Sequence, residues 1–131
     1  MGAAATVPKR AVVAEDDLEF CRLLGFALER DGFDVTALHD GTSLLGLVEE
    51  VAVGRAPAPD VIVADIQLPG CTGLAVLGAM ARLGLAVPTV LITAFGAAGT
   101  RALAARLGAA AFLDKPFTLS ELSRIIRLVL S

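Results

Sequence analysis

The chain has 131 residues, 56% of them hydrophobic and 19% charged, with a formal net charge of −3. That length fits one domain with a real core, and the apolar content excludes a disordered chain. Acidic and basic residues are interspersed and Trp and Tyr are absent, so neither the basic patch nor the aromatic platform of a nucleic-acid surface is there.

Five short apolar runs alternate with longer amphipathic segments. Segment 1–8 is read as a flexible start, and the domain as 9–131. The first run, Ala11–Ala14, ends on Glu15, Asp16 and Asp17. The helix after it places Phe20, Leu23, Leu24, Ala27 and Leu28 on one face, with Gly32 as its stop. The run Phe33–Leu38 ends near His39 and Asp40, and Asp40 suits the N-cap of a helix carrying Leu44, Leu47, Val48 and Val51. Val61–Ala64 leads to Asp65, and Leu74, Leu77 and Ala81 mark the third helix. Thr89–Thr93 leads to Ala94 and to a short, weakly patterned helix with Leu103 and Leu107. Ala110–Leu113 leads to Asp114, Lys115 and Pro116. In the last helix Leu122, Ile125, Ile126 and Val129 share a face behind a Thr118–Glu121 capping box.

Solidly apolar runs are strands buried on both faces. A (βα)₅ order with right-handed crossovers predicts an α/β, doubly wound, flavodoxin-like fold. Its five-stranded parallel sheet has the order 2-1-3-4-5. Ligands of such sheets bind at the carboxyl ends of the strands. There the sequence gathers Glu15, Asp16 and Asp65, the Thr93 hydroxyl and the Lys115 ammonium. Crowded carboxylates call for a cation. Oxygen donors without sulfur or imidazole select a hard ion, Mg²⁺ or else Mn²⁺. Only two of the eleven basic residues are lysines, Lys9 and Lys115. The second stands among the acids, where an ammonium suits a phosphoryl oxygen.

Other signals have plainer readings. Cys21, Cys71 and His39 are too few for a zinc site and read as reduced thiols and a lone histidine. Met-Gly-Ala-Ala-Ala-Thr fits a myristoylation pattern at Gly2 and Thr6, but equally an ordinary small-residue start. The uncharged stretch Leu83–Thr100 approaches a membrane span in length. Pro88, Gly84, Gly96 and Gly99 interrupt it, so it reads as a buried strand between loops. No secretory signal is visible, and a cytoplasmic location is expected.

From Lys9 to Leu130 the sequence resembles the receiver domains of two-component response regulators. The marks are Glu15-Asp16, Asp65, Pro69-Gly70 with Gly73, Thr93-Ala94 and Lys115-Pro116. VLITAFG and LGAAAFLDKPF look most like receivers of the nitrogen-regulation and nodulation-regulator type. The resemblance implies that Asp65 accepts a phosphoryl group from a histidine kinase or a phosphotransfer protein. Metal would be held by Asp16, Asp65 and the Gln67 backbone carbonyl, with Glu15 assisting. Lys115 would pair with Asp65 and then with phosphoryl oxygen, across a cis Lys115–Pro116 bond. Thr93 would bind the arriving phosphoryl group, and Phe112 would be the switch aromatic or simply core. Output through the face of helix four, strand five and helix five, including a homodimer there, is implied, with the glycines and alanines from Gly96 to Gly99 loosening helix four.

The chain is thus expected to be a switch that catalyses only its own phosphorylation and dephosphorylation, binding neither nucleic acid nor membrane. The alternative is a pseudo-receiver, the same fold used as a binding or dimerisation module without phosphorylation. A haloacid-dehalogenase-like phosphatase would need a second Asp two residues after its nucleophile. Leu18 and Gln67 stand at those offsets from Asp16 and Asp65.

Overall fold

A computed structural model describes residues 7–94 and 98–131. The elements are β1 (Arg10–Ala14), α1 (Leu18–Arg30), β2 (Asp34–Leu38), α2 (Gly41–Ala52), β3 (Val61–Asp65), α3 (Gly73–Arg82), β4 (Thr89–Thr93), α4 (Ala98–Arg106), β5 (Ala111–Asp114) and α5 (Leu119–Leu130). They form a five-stranded sheet of order β2-β1-β3-β4-β5, and every neighbouring pair is parallel. The expected architecture is the observed one. Residues 1–6, with Gly2 and Thr6, and the Gly96–Ala97 part of the expected loose start of helix four, lie outside the described residues.

The sheet has a core on each face because alternate strand residues point to opposite sides. Ala11, Val13, Val61, Val63, Val90 and Ile92 pack with Leu24, Leu28, Leu122 and Ile126 of α1 and α5. Val12, Ala14, Ile62, Ala64 and Leu91 pack with Leu44, Val48, Val76, Leu77, Met80 and Ala104 of α2, α3 and α4. β3 and β4 are buried along their whole length, whereas β2, at the edge, has three exposed residues of five.

Helix boundaries follow the side chains that close them. Asp17, Asp40 and Thr72 each accept a backbone N–H from the first turn of α1, α2 and α3, and the Thr118–Glu121 capping box opens α5. Two residues fall off their expected faces. Leu23 is exposed, because the buried stripe of α1 runs through Cys21, Leu24, Ala27 and Leu28. Ala81 is exposed, because α3 buries Val76, Leu77, Ala79 and Met80 instead.

The loop after β3 is locked against the start of α2. The Gly41 N–H donates to the Pro69 carbonyl at 2.9 Å, and a Cβ at Gly41 would stand 1.5 Å from the Cys71 carbonyl oxygen. A side chain there must push the backbone of the loop aside. Gly41→Ala is expected to lower unfolding free energy by about 2 kcal/mol, the usual cost of overpacking. A urea midpoint unchanged from wild type would contradict this.

Candidate functional site

Four strand ends deliver the site. After β1, Glu15 donates its N–H to the Leu38 carbonyl of β2, and its carboxylate turns inward, 1% exposed. Asp16 is exposed beside it, and Asp17 turns away to cap α1. Asp65 is the last residue of β3 and is buried. A Cβ at Gly73 would lie 2.7 Å from the Asp65 carbonyl oxygen, so glycine lets the start of α3 close on the Asp65 backbone. Thr93 ends β4, opposite Asp114 at the end of β5. The Lys115 N–H continues that ladder by donating to the Thr93 carbonyl at 2.7 Å. The Lys115–Pro116 peptide is cis.

The Lys115 ammonium joins three of these ends. It donates to Asp65 Oδ2 at 2.7 Å and to Glu15 Oε1 at 3.3 Å, and lies 4.9 Å above the ring of Phe20. The other Asp65 oxygen accepts the Gln67 N–H at 2.8 Å, and Glu15 Oε2 accepts the Asp17 N–H at 3.0 Å. Burial pushes the Glu15 carboxyl up to about 7. The Asp17 N–H opposes that shift, and the carboxylates of Asp65 and then Asp16 add to it. Burial alone would lower the Lys115 pKa, but its bond to Asp65 and the charges of Asp65 and Glu15 outweigh it, and the net shift is upward. Away from the crevice, Cys21 and Cys71 are both free thiols. Burial first, and then the Glu15 charge, raise the Cys21 pKa, which disfavours a reactive thiolate.

The family profile of the response regulator receiver domain matches residues 11–127. The chain belongs to that family. Among curated relatives it is similar to the transcriptional regulatory protein TrcR of Mycobacterium tuberculosis, 32% identical across 92% of this chain and 44% of the relative. It is also similar to the transcriptional regulatory protein CpxR of Escherichia coli K12, 33% identical across 92% of this chain and 49% of the relative. The chain therefore spans about half the length of these relatives. Among solved structures, full-length FixJ from B. japonicum superposes with a TM-score of 0.81 at 28% identity, over 95% of this chain and 59% of that one. A LuxR-family DNA-binding response regulator from Staphylococcus aureus gives 0.83 at 26% identity, over 94% and 99%.

In this receiver the donor set around Asp65 suits a hard cation, being oxygen throughout. Among the described residues no three Asp, Glu, His or Cys side chains group closely enough to enclose an ion by themselves. Mg²⁺ asks for less, one or two carboxylates completed by carbonyls, waters and phosphate oxygens. Asp16, Asp65 and the Gln67 carbonyl would supply direct donors to such an ion, with Glu15, the more deeply buried of the two inner carboxylates, assisting.

Of the residues expected at the site, Glu15, Asp65 and Lys115 share direct contacts, and the Asp16 carboxylate beside Glu15 adds to the rise of its pKa. Thr93 lies at the same strand ends, but its hydroxyl donates to Asp114 at 2.6 Å. Phe112 is half-buried against the core shared with α4, under the Arg101 guanidinium at 5.8 Å. Sequence reasoning gave no role to Phe20, Asp114 or Arg101. Asp114 stood in plain view beside Lys115. Phe20 looked like one more apolar helix position, and nothing in the sequence brings Arg101 of α4 across to β5. A recess of about 670 Å³ between Lys9, Phe33, Ser123 and Leu130 opens at the other end of the strands and holds none of these residues.

Proposed function

We propose that this receiver is a signalling switch in which Asp65 accepts a phosphoryl group from a histidine kinase or phosphotransfer protein. The observation that carries the proposal is the buried Asp65 carboxylate held 2.7 Å from Lys115, with Glu15 behind the same ammonium. An Asp65 oxygen attacks phosphorus as the P–N bond to the donor imidazole breaks. The departing nitrogen keeps the bonding pair and is neutralised by a proton. The product is an acyl phosphate. Lys115 passes from Asp65 to a phosphoryl oxygen, so positive charge follows the developing negative charge. Mg²⁺, held by Asp16, Asp65 and the Gln67 carbonyl, would add charge neutralisation on the phosphoryl oxygens. Later attack of water on phosphorus restores Asp65 and releases phosphate, so the domain turns over only itself.

Thr93 then bonds the new phosphoryl group and the face of α4, β5 and α5 changes, which is the surface offered to a second copy or an output domain. α4 and α5 carry exposed Leu103 and Leu128. A cytoplasmic setting accords with the two free thiols. None of the described helices is long and apolar enough to cross a membrane. Against the pseudo-receiver alternative, the same fold used without phosphorylation, the reading is supported by the contacts that join Glu15, Asp65 and Lys115.

The test is incubation with acetyl phosphate and Mg²⁺ followed by intact-mass spectrometry. A gain of one phosphoryl group is expected, absent from Asp65→Asn and lost on hydroxylamine treatment. Labelling of the Asp65→Asn protein, or none of the wild type, would overturn the proposal.

A further inference from the structure

Thr93, the hydroxyl that must meet the phosphoryl group, is engaged elsewhere. The parallel register sets Thr93 opposite Asp114, so both side chains leave the same face of the sheet. The hydroxyl donates to Asp114 Oδ1 at 2.6 Å. The other oxygen, Oδ2, takes a hydrogen bond and ion pair from Arg101 of α4. The same guanidinium lies 5.8 Å over the ring of Phe112, two residues before Asp114 and therefore on the same face. Thr93, Asp114, Arg101 and Phe112 thus form one chain of contacts across β4, β5 and α4.

Resting on the phosphoacceptor reading above, we propose that Asp114 and Arg101 are positioning residues for the Thr93 hydroxyl, holding it on β5 until a phosphoryl group on Asp65 competes for it. A hydroxyl has one proton to donate, so Thr93 serves Asp114 or the phosphoryl oxygen, not both. Arg101 sets the terms of that competition. By drawing on the Asp114 charge, it makes the carboxylate a weaker acceptor for Thr93 than an unpaired one would be. When Thr93 leaves, Asp114 keeps Arg101 as its partner, and the guanidinium resting on Phe112 is free to shift with it. Phosphorylation would thereby reach α4 and the switch aromatic through a single exchange of hydrogen bonds.

The two residues then act in opposite directions, and this separates positioning from structural support. Asp114→Ala removes the competitor, and the affinity for beryllofluoride with Mg²⁺ is expected to rise about tenfold, the scale of a hydrogen bond to a charged group at a partly exposed site. Arg101→Gln leaves Asp114 unpaired and a stronger competitor, and affinity is expected to fall about threefold, with Arg101→Lys restoring it. In Asp114→Ala without the mimic, the Thr93 methyl and amide resonances should move toward their mimic-bound positions. Both side chains are close to half exposed, so the variants keep the fold. If the wild type binds beryllofluoride and both variants shift the same way, or neither shifts, the positioning role is overturned and the phosphoacceptor reading stands. If the wild type binds no beryllofluoride, both fall.

Discussion

Lys115→Met is expected to slow phosphoryl uptake from acetyl phosphate about 100-fold, the lower end of what one preorganised donor to a developing oxyanion contributes. The lower end applies because about a third of the Lys115 side chain is open to water. Methionine keeps the length of the aliphatic stem while removing the ammonium that lies over Phe20, and so isolates the loss of charge. Without the ammonium, the Glu15 and Asp65 carboxyls face each other with no cation between them. Like charges at that range disfavour ionisation, so carbon-13 NMR should show the Glu15 carboxyl, already raised by burial and by Asp65, titrating higher than in the wild type. Uptake within threefold of wild type would show that Lys115 does not stabilise the transferring group.

Glu15→Gln should change how stability depends on pH more than any other single substitution at the site. The Glu15 carboxyl is raised from 4.5 to about 7 in the fold, so the folded state disfavours its charge. Below pH 4.5 the group is protonated in folded and unfolded chains alike and costs nothing. The penalty grows as pH rises from 4.5 to 7 and is complete above 7, where it amounts to about 3 kcal/mol at 1.36 kcal/mol per pH unit. Glutamine carries no such penalty. Relative to wild type, the variant should therefore gain about 3 kcal/mol between pH 4.5 and pH 8 in metal-free urea unfolding. Millimolar Mg²⁺ at pH 8 should recover much of the difference for the wild type and little for the variant. Parallel pH profiles for the two proteins would remove Glu15 as the seat of the site's electrostatic strain.

Architecture was the most legible part of the sequence, because strands buried on both faces leave unbroken apolar runs and helices leave a 3.6-residue stripe. Glu15, Asp16, Asp65 and Lys115 could be gathered in advance, since each directly follows or ends such a run and strand ends meet in this topology. Thr93 could be located but not oriented. Whether its hydroxyl turns to Asp65 or to Asp114 depends on the β4–β5 register and on Arg101, neither of which is written in local pattern. The exposed positions Leu23 and Ala81 show the same limit at smaller scale. Where apolar residues outnumber the places on one face, as in α1 and α3, periodicity does not say which one is left outside.

The ammonium that completes the site belongs to residue 115, while its two acidic partners lie 50 and 100 positions earlier. During synthesis, a chain emerged only through β4 carries both acids without their cation. Closing loops of that length comes late in assembly. The three-sided contact therefore forms in one step, when the final strand docks, and on the phosphoacceptor reading a half-made polypeptide would be a poor acceptor.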